Sequence, residues 1–231
     1  MAQIFISHSQ ADRDIKAFFE RVFAITKVRA VFVEYESYEP PAGPYIQRQI
    51  TDSTAMFLLL GPNVEKLAHT KVWIGSETGV AQQAQKAIWV FEPFQQPCNV
   101  PVPFVTHYVP YVQTDQAFQY IRAIVNSYDD SAAIEALVRG GVLGAAGGAA
   151  LAEDAKKKDA AVLGAIVGAL FESWRTDSSR SRPMGIPITC GYLNCRTTYR
   201  LHGTPTSFHC PVCRRPLTAD WATILKPATE P

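Results

Sequence analysis

Short apolar runs alternate along the first half of the chain with stretches in which apolar residues recur at steps of three and four, the pattern of buried strands and amphipathic helices. Residues 3–7 (Gln-Ile-Phe-Ile-Ser) are the first run, and they end in the polar turn Ser7-His8-Ser9-Gln10-Ala11-Asp12, which has helix-capping chemistry. Ile15, Phe18, Phe19, Val22 and Phe23 then share one helical face. Residues 30–33 read as a second strand, and residues 34–44 as an acidic, aromatic loop stiffened by Pro and Gly. A short helix over residues 45–53 precedes a third strand at 55–60, which Gly61-Pro62-Asn63 breaks, and residues 71–81 belong to a helix that runs to about residue 85. Residues 87–91 and 104–109 are a fourth and a fifth strand, and Phe118, Ile121, Ile124 and Val125 mark a closing helix. Strands alternating with helices predict an α/β fold: a flavodoxin-like, doubly wound parallel sheet of five strands over residues 1–128. Its functional crevice is expected at the carboxyl ends of the strands.

The pattern changes abruptly after residue 130. Gly140, Gly144 and Gly148 recur at steps of four, as do Ala160, Gly164 and Gly168, with a charged turn at residues 153–159 between the two sets. Glycine is a poor helix former, so small residues in helical register predict a hairpin whose backbones approach closely, over residues 130–175. Its uninterrupted apolar runs, residues 140–152 and 160–171, fall short of the roughly 18–20 residues that a spanning helix needs. A soluble or self-associating hairpin therefore fits better than membrane association, with insertion as an oligomer the alternative. Residues 176–187, rich in Ser, Arg and Pro, read as a linker to a C-terminal module at 188–225.

Composition sharpens this picture only in part. With 231 residues there is room for one domain and something smaller, and a 47% hydrophobic content supports a real core. Charged residues make up 19%, below the usual ~25%, which argues against wholesale disorder. The net charge of +1 is spread so evenly that neither half is basic enough to predict nucleic acid binding from charge alone. The N-terminus lacks the basic region, apolar core and small-residue cleavage site of a secretory signal, so a cytoplasmic location is expected.

Two groups of residues carry candidate chemistry. Trp73 and Glu77 stand four apart on a predicted helix, so an indole and a carboxylate project from one face, one turn apart. The spacing is common, and a solvated surface carboxylate is the plain alternative for Glu77. The order of motifs is more specific. Ile-Phe-Ile-Ser-His-Ser at residues 4–9, Pro-Pro-Ala-Gly at 40–43 before a short helix ending in Ser53, an apolar strand, and then Trp-Ile-Gly-Ser-Glu at 73–77 resemble the Toll/interleukin receptor (TIR) domain. The likeness is to its bacterial and archaeal branch and covers residues 1–128.

That resemblance implies an enzyme that cleaves the nicotinamide–ribose bond of NAD+, leaving ADP-ribose or a cyclic isomer, in prokaryotic antiviral signalling governed by self-association into a homo-oligomer. It implies Glu77 as the catalytic carboxylate and Trp73 as a substrate contact. It places Pro41 and Gly43 in the loop that shapes the pocket, and Ser7 and His8 beside the nucleotide. The residue types suit the chemistry, because an oxocarbenium-like ribose is stabilised by a nearby carboxylate. Ser7 has a cap of the first helix as its alternative, and His8 a local hydrogen-bonding role. Two departures stand out: the loop lacks the Arg-Asp pair common in animal TIR adaptors, and Gly61 replaces a frequent Ser. A non-enzymatic assembly protein and a membrane effector acting through the hairpin are the rival readings.

The second group is Cys190-x4-Cys195 and Cys210-Pro-Val-Cys213, four of the five cysteines. Paired cysteines on tight turns deliver two thiolates each to one side of a tetrahedral ion, and in a reducing compartment they favour metal over disulfides. The pattern resembles a zinc ribbon and predicts a closed, structural Zn2+ site, with His202 or His209 as substitute ligands and a redox pair as the alternative. Arg196, Arg200, Arg214 and Arg215 are candidates for phosphate contacts, offset by the roughly −2 charge of a four-thiolate zinc site, so nucleic acid is no better a partner than protein. Tyr192, Tyr199, Phe208 and Trp221 are expected to form the module's small core. Cys98, in a proline-rich loop, carries no expected role.

Overall fold

The computed structural model describes residues 1–33, 43–66, 68–129, 185–203, 205, 207–220 and 223–227. Residues 34–42 of the expected loop, with Pro41, the hairpin at 130–175, most of the linker and Trp221 lie outside the described residues.

Five strands appear at or near the apolar runs, β1 (Gln3–Ser7), β2 (Arg29–Phe32), β3 (Ala55–Leu59), β4 (Ala87–Pro93) and β5 (His107–Tyr111), the last starting three residues after the expected Phe104. Four helices alternate with them: α1 (Arg13–Ala24), α2 (Gly43–Asp52), α3 (Ala68–Gln83) and α4 (Asp115–Asn126). Ile15, Phe18, Phe19, Val22 and Phe23 are the buried face of α1, as their spacing predicts. Thr114 caps α4, its hydroxyl accepting from the Ala117 amide at 3.2 Å. The end of α3 is sharp. Gln85 takes a left-handed φ of 53°, and the amides of Gln85 and Lys86 turn back onto the carbonyls of Gln82 and Ala81, so the last carbonyls are satisfied.

Among the described residues the sheet has seven strands where five were expected. Two more come from the C-terminal module, β6 (Ile186–Thr189) and β7 (Thr198–Leu201), and the order is β2-β1-β3-β4-β5-β7-β6. The first five are mutually parallel, β7 joins β5 in parallel with Leu201 opposite Tyr108, and β6 runs antiparallel to β7. β6 starts at Ile186, inside the stretch read as linker, so the module is bonded to the sheet and not tethered to it. A second, antiparallel sheet joins β8 (Ser207–His209), β9 (Pro216–Asp220) and β10 (Thr223–Pro227) in the order β10-β9-β8.

Both faces of the main sheet are covered, as continuous apolar strands require. Ile4, Ile6, Phe57, Leu59, Trp89 and Phe91 meet the residues of α1 and α4 on one face. On the other, Phe5, Met56, Leu58 and Val90 pack with Ile46 and Ile50 of α2 and Ile74 and Ala81 of α3. That second core continues without a break into Tyr199, Leu201, Phe208, Cys210 and Leu217 of the module.

Candidate functional site

Ser7 closes β1 and Glu77 sits in the middle of α3, 70 residues away in sequence, and the Ser7 Oγ donates to the Glu77 Oε2 at 2.7 Å. The alternation along β1 sends Ile4 and Ile6 to the α1/α4 face and Phe5 to the other, so Ser7 points to the side where α3 lies. Glu77 is 1% exposed, which rules out the solvated surface carboxylate. Ser7 is spent on Glu77 and does not cap α1. The pair stands at the carboxyl end of the parallel strands, where an α/β sheet carries its ligands. Trp73, one turn earlier on α3, is half-buried against the α2/α3 core.

His8 makes a local contact. It is buried, its Nδ1 lies 3.2 Å from the Ser9 carbonyl oxygen, and its ring meets Phe32 edge-on at 5.6 Å. Gly43 opens α2, and among the described residues a Cβ there would meet nothing within 4 Å, so no described neighbour demands glycine. Gly61 is the opposite case: a Cβ would fall 2.2 Å from the Cγ of Asp12. Asp12 turns its carboxylate away from α1 and across to Asn63, whose side-chain amide donates to its Oδ1 at 2.7 Å. Burial holds the Asp12 carboxyl above its ordinary range, partly offset by that amide.

In the module each cysteine pair occupies one hairpin turn. Cys190 and Cys195 lie between β6 and β7, and Cys210 and Cys213 between β8 and β9. All four Sγ atoms fall within 4.8 Å of one another, close enough to hold one metal ion. The Cys190–Cys213 and Cys195–Cys210 separations are 3.8 and 3.9 Å. Neither histidine joins this group. The Nε2 of His202 lies 2.9 Å from the Nδ1 of His107 and its Nδ1 2.7 Å from the Tyr120 hydroxyl, so both ring nitrogens are engaged elsewhere.

Arg214 is not a phosphate contact. It follows the last cysteine with a left-handed φ of 60° and forms a buried ion pair with Glu92 of β4. Glu92 also accepts from the Tyr108 hydroxyl at 2.5 Å and the Cys98 amide at 2.6 Å. Cys98 is thus a buried packing residue, its thiol pushed up to about 11 by burial. Arg200 donates to the Gly185 carbonyl at 3.3 Å, and Arg215 lies 4.9 Å over the Tyr192 ring. Tyr199 and Phe208 are buried in the core that the module shares with the sheet.

Fold and site together define an α/β protein with a mostly parallel seven-stranded sheet and a four-cysteine module built onto its edge. No protein-family model matches the chain. No curated protein matches it either. Among solved structures it is similar to the glutaminase domain of Trypanosoma brucei CTPS with bound acivicin, at 13% identity and a TM-score of 0.30. That likeness covers 40% of this chain and 36% of the other, and so slight a match carries no argument about function.

Proposed function

We propose that the chain is a TIR-domain enzyme that cleaves the nicotinamide–ribose bond of NAD+, with Glu77 as its catalytic carboxylate and activity governed by self-association in prokaryotic antiviral signalling. The observation that carries this reading is the Ser7–Glu77 hydrogen bond of 2.7 Å at the carboxyl end of the parallel sheet. It joins two positions that the motif order implicates separately. In the proposed reaction the C1′–N bond breaks, its electron pair leaves with nicotinamide, and water or a base nitrogen of the same nucleotide adds to C1′ with loss of a proton in the first case. Glu77 offsets the positive charge that develops on the ribose, and Ser7 fixes which oxygen is turned to it. Glu77 is 1% exposed, so substrate reaches it only after the surrounding surface opens, which accords with an enzyme latent as a monomer.

The same burial favours a second reading, in which the Ser7–Glu77 bond merely ties α3 to β1 and the domain is a non-enzymatic assembly element. NAD+ consumption by the full chain, at high concentration and under crowding, separates the two. Glu77→Gln is expected to lose on the order of a hundredfold in rate, about 3 kcal/mol of barrier, with an unchanged melting temperature. Equal turnover by parent and variant, or no nicotinamide release from the assembled parent, would leave the assembly reading standing.

For the module we propose structural zinc. A tetrahedral ion with Zn–S bonds of about 2.3 Å sets its sulfurs about 3.8 Å apart. Two of the sulfur separations, 3.8 and 3.9 Å, agree with that, and all four Sγ atoms lie within 4.8 Å of one another. Four thiolates leave no open position for catalysis.

A further inference from the structure

A cavity of about 330 Å³ opens on the α1/α4 face of the sheet, opposite the face that holds Glu77. Its floor is Val109 and Tyr111 of β5, one wall is Ala117, Tyr120 and Ile121 of α4, and the other is His202 and Gly203 just past β7. It therefore lies at the carboxyl ends of two parallel strands and at the seam between the α/β core and the cysteine module. Its volume is at the small end of the range for ligand sites, and its walls are apolar with a few convergent polar groups.

Those polar groups are ordered. Tyr120, His202 and His107 form a chain with spacings of 2.7 and 2.9 Å, and His107 stacks on Trp89 with ring centroids 3.8 Å apart. Burial, with smaller contributions from His107 and Arg200, lowers His202 to about 3, so its ring is neutral at physiological pH. Burial likewise keeps the Tyr120 phenol protonated. A neutral imidazole has one donor and one acceptor nitrogen, so the chain runs in one of two directions. In the first, Tyr120 donates to His202 and its oxygen is left to accept. In the second, His202 donates to Tyr120 and the hydroxyl is left to donate. In both, Tyr120 keeps one hydrogen-bonding capacity on the cavity wall.

We propose that this cavity binds an uncharged, largely apolar ring compound carrying one hydrogen-bonding group, which the Tyr120 hydroxyl engages. None of the described residues that line it is Lys, Arg, Asp or Glu, so no lining side chain compensates the desolvation of an ionic ligand. Phosphates, carboxylates and dinucleotides are disfavoured on that ground. A bound ring touches both the core and His202–Gly203, so it fastens the module to the sheet and stabilises the chain by mass action.

The test uses the full chain with benzamide, indole and phenol as probes and benzoate as the charged control, read by titration of protein amide NMR signals. At least one neutral probe is expected to saturate, shifting Val112, Ala117 and Gly203, with benzoate weaker by about tenfold or more. Tyr120→Phe is expected to weaken that probe by about tenfold, one hydrogen bond's worth. Ala117→Leu, which fills the cavity from α4, is expected to abolish binding. Should that variant melt below the parent, Val112→Trp at the partly exposed rim blocks the same space. No saturable binding of any neutral probe, equal binding of benzoate, or binding that survives both obstructing variants overturns the proposal.

Discussion

The Arg214 guanidinium and the Glu92 carboxylate, 122 residues apart, form a buried ion pair that joins the second cysteine turn of the module to the carboxyl end of β4. The side chains are 5% and 1% exposed, so neither charge can fall back on water if the other is removed. Arg214→Met should therefore destabilise the chain by about 3–5 kcal/mol in urea unfolding. The paired change Arg214→Met with Glu92→Gln should recover much of that, because the isolated charge is gone. A single variant as stable as the parent would show that solvent reaches Glu92 after all.

Metal removal is predicted to act on the whole sheet. The Cys190–Cys195 turn joins the two added strands, and Cys210–Cys213 positions Arg214. Chelation with a strong zinc ligand should lower the calorimetric melting temperature of the α/β core itself, in one cooperative transition, with about one zinc per chain released. A core transition that stays in place while zinc departs would mean that the module folds separately.

His202 makes stability depend on acid. It is neutral in the folded chain and held near 3, against about 6.5 when unfolded, so the unfolded state binds more protons between those values. Stability contributed by this residue is complete above about pH 6.5 and is lost as pH falls toward 3, with a limiting slope of about 1.4 kcal/mol per pH unit. His202→Gln should flatten that part of the curve, measured as denaturant midpoints from pH 7 to 4.

Gly61 is predicted to be irreplaceable while Asp12 stands. Gly61→Ser puts a Cβ 2.2 Å from the Asp12 Cγ and should cost about 1–3 kcal/mol or more. Asp12→Gly should be milder alone and should rescue Gly61→Ser, giving a coupling of about 0.5–3 kcal/mol in a double-mutant cycle. Additive effects would mean that the two residues do not compete for space.

Ser7→Ala removes the donor to Glu77 without touching the carboxylate. A loss of about tenfold in NAD+ turnover is expected with an unchanged affinity for NAD+, since the group aims the carboxylate and does not itself bind the leaving base.

How much of this was readable from the chain depended on whether the signal was local. β1, β3 and β4 were, because each is a continuous apolar run, and α1 was, because five large residues share one face. The Cys pairs announced themselves by spacing. The extension of the sheet did not: β7 is four residues long with only Tyr199 and Leu201 buried, too short a pattern to reveal that it pairs with β5. The linker reading failed at Ile186 because Pro187 looks like a break, yet a proline is tolerated in an outer strand. The Arg214–Glu92 pair carries no neighbouring signal on the arginine side. A hint lay in Glu92 itself, an acid at the end of an otherwise apolar buried run, since a charge in such a place needs a partner.

β7 has one more consequence. A parallel sheet that stopped at β5 would leave a row of free amides and carbonyls able to recruit a strand from any passing molecule. Here the chain spends its own C-terminal hairpin on that row, and the outermost position passes to β6, where Pro187 has no amide to offer. A foreign strand at this end of the sheet would therefore have to pair with a row that the proline already interrupts, whereas β2, the edge strand at the opposite end, carries no such break.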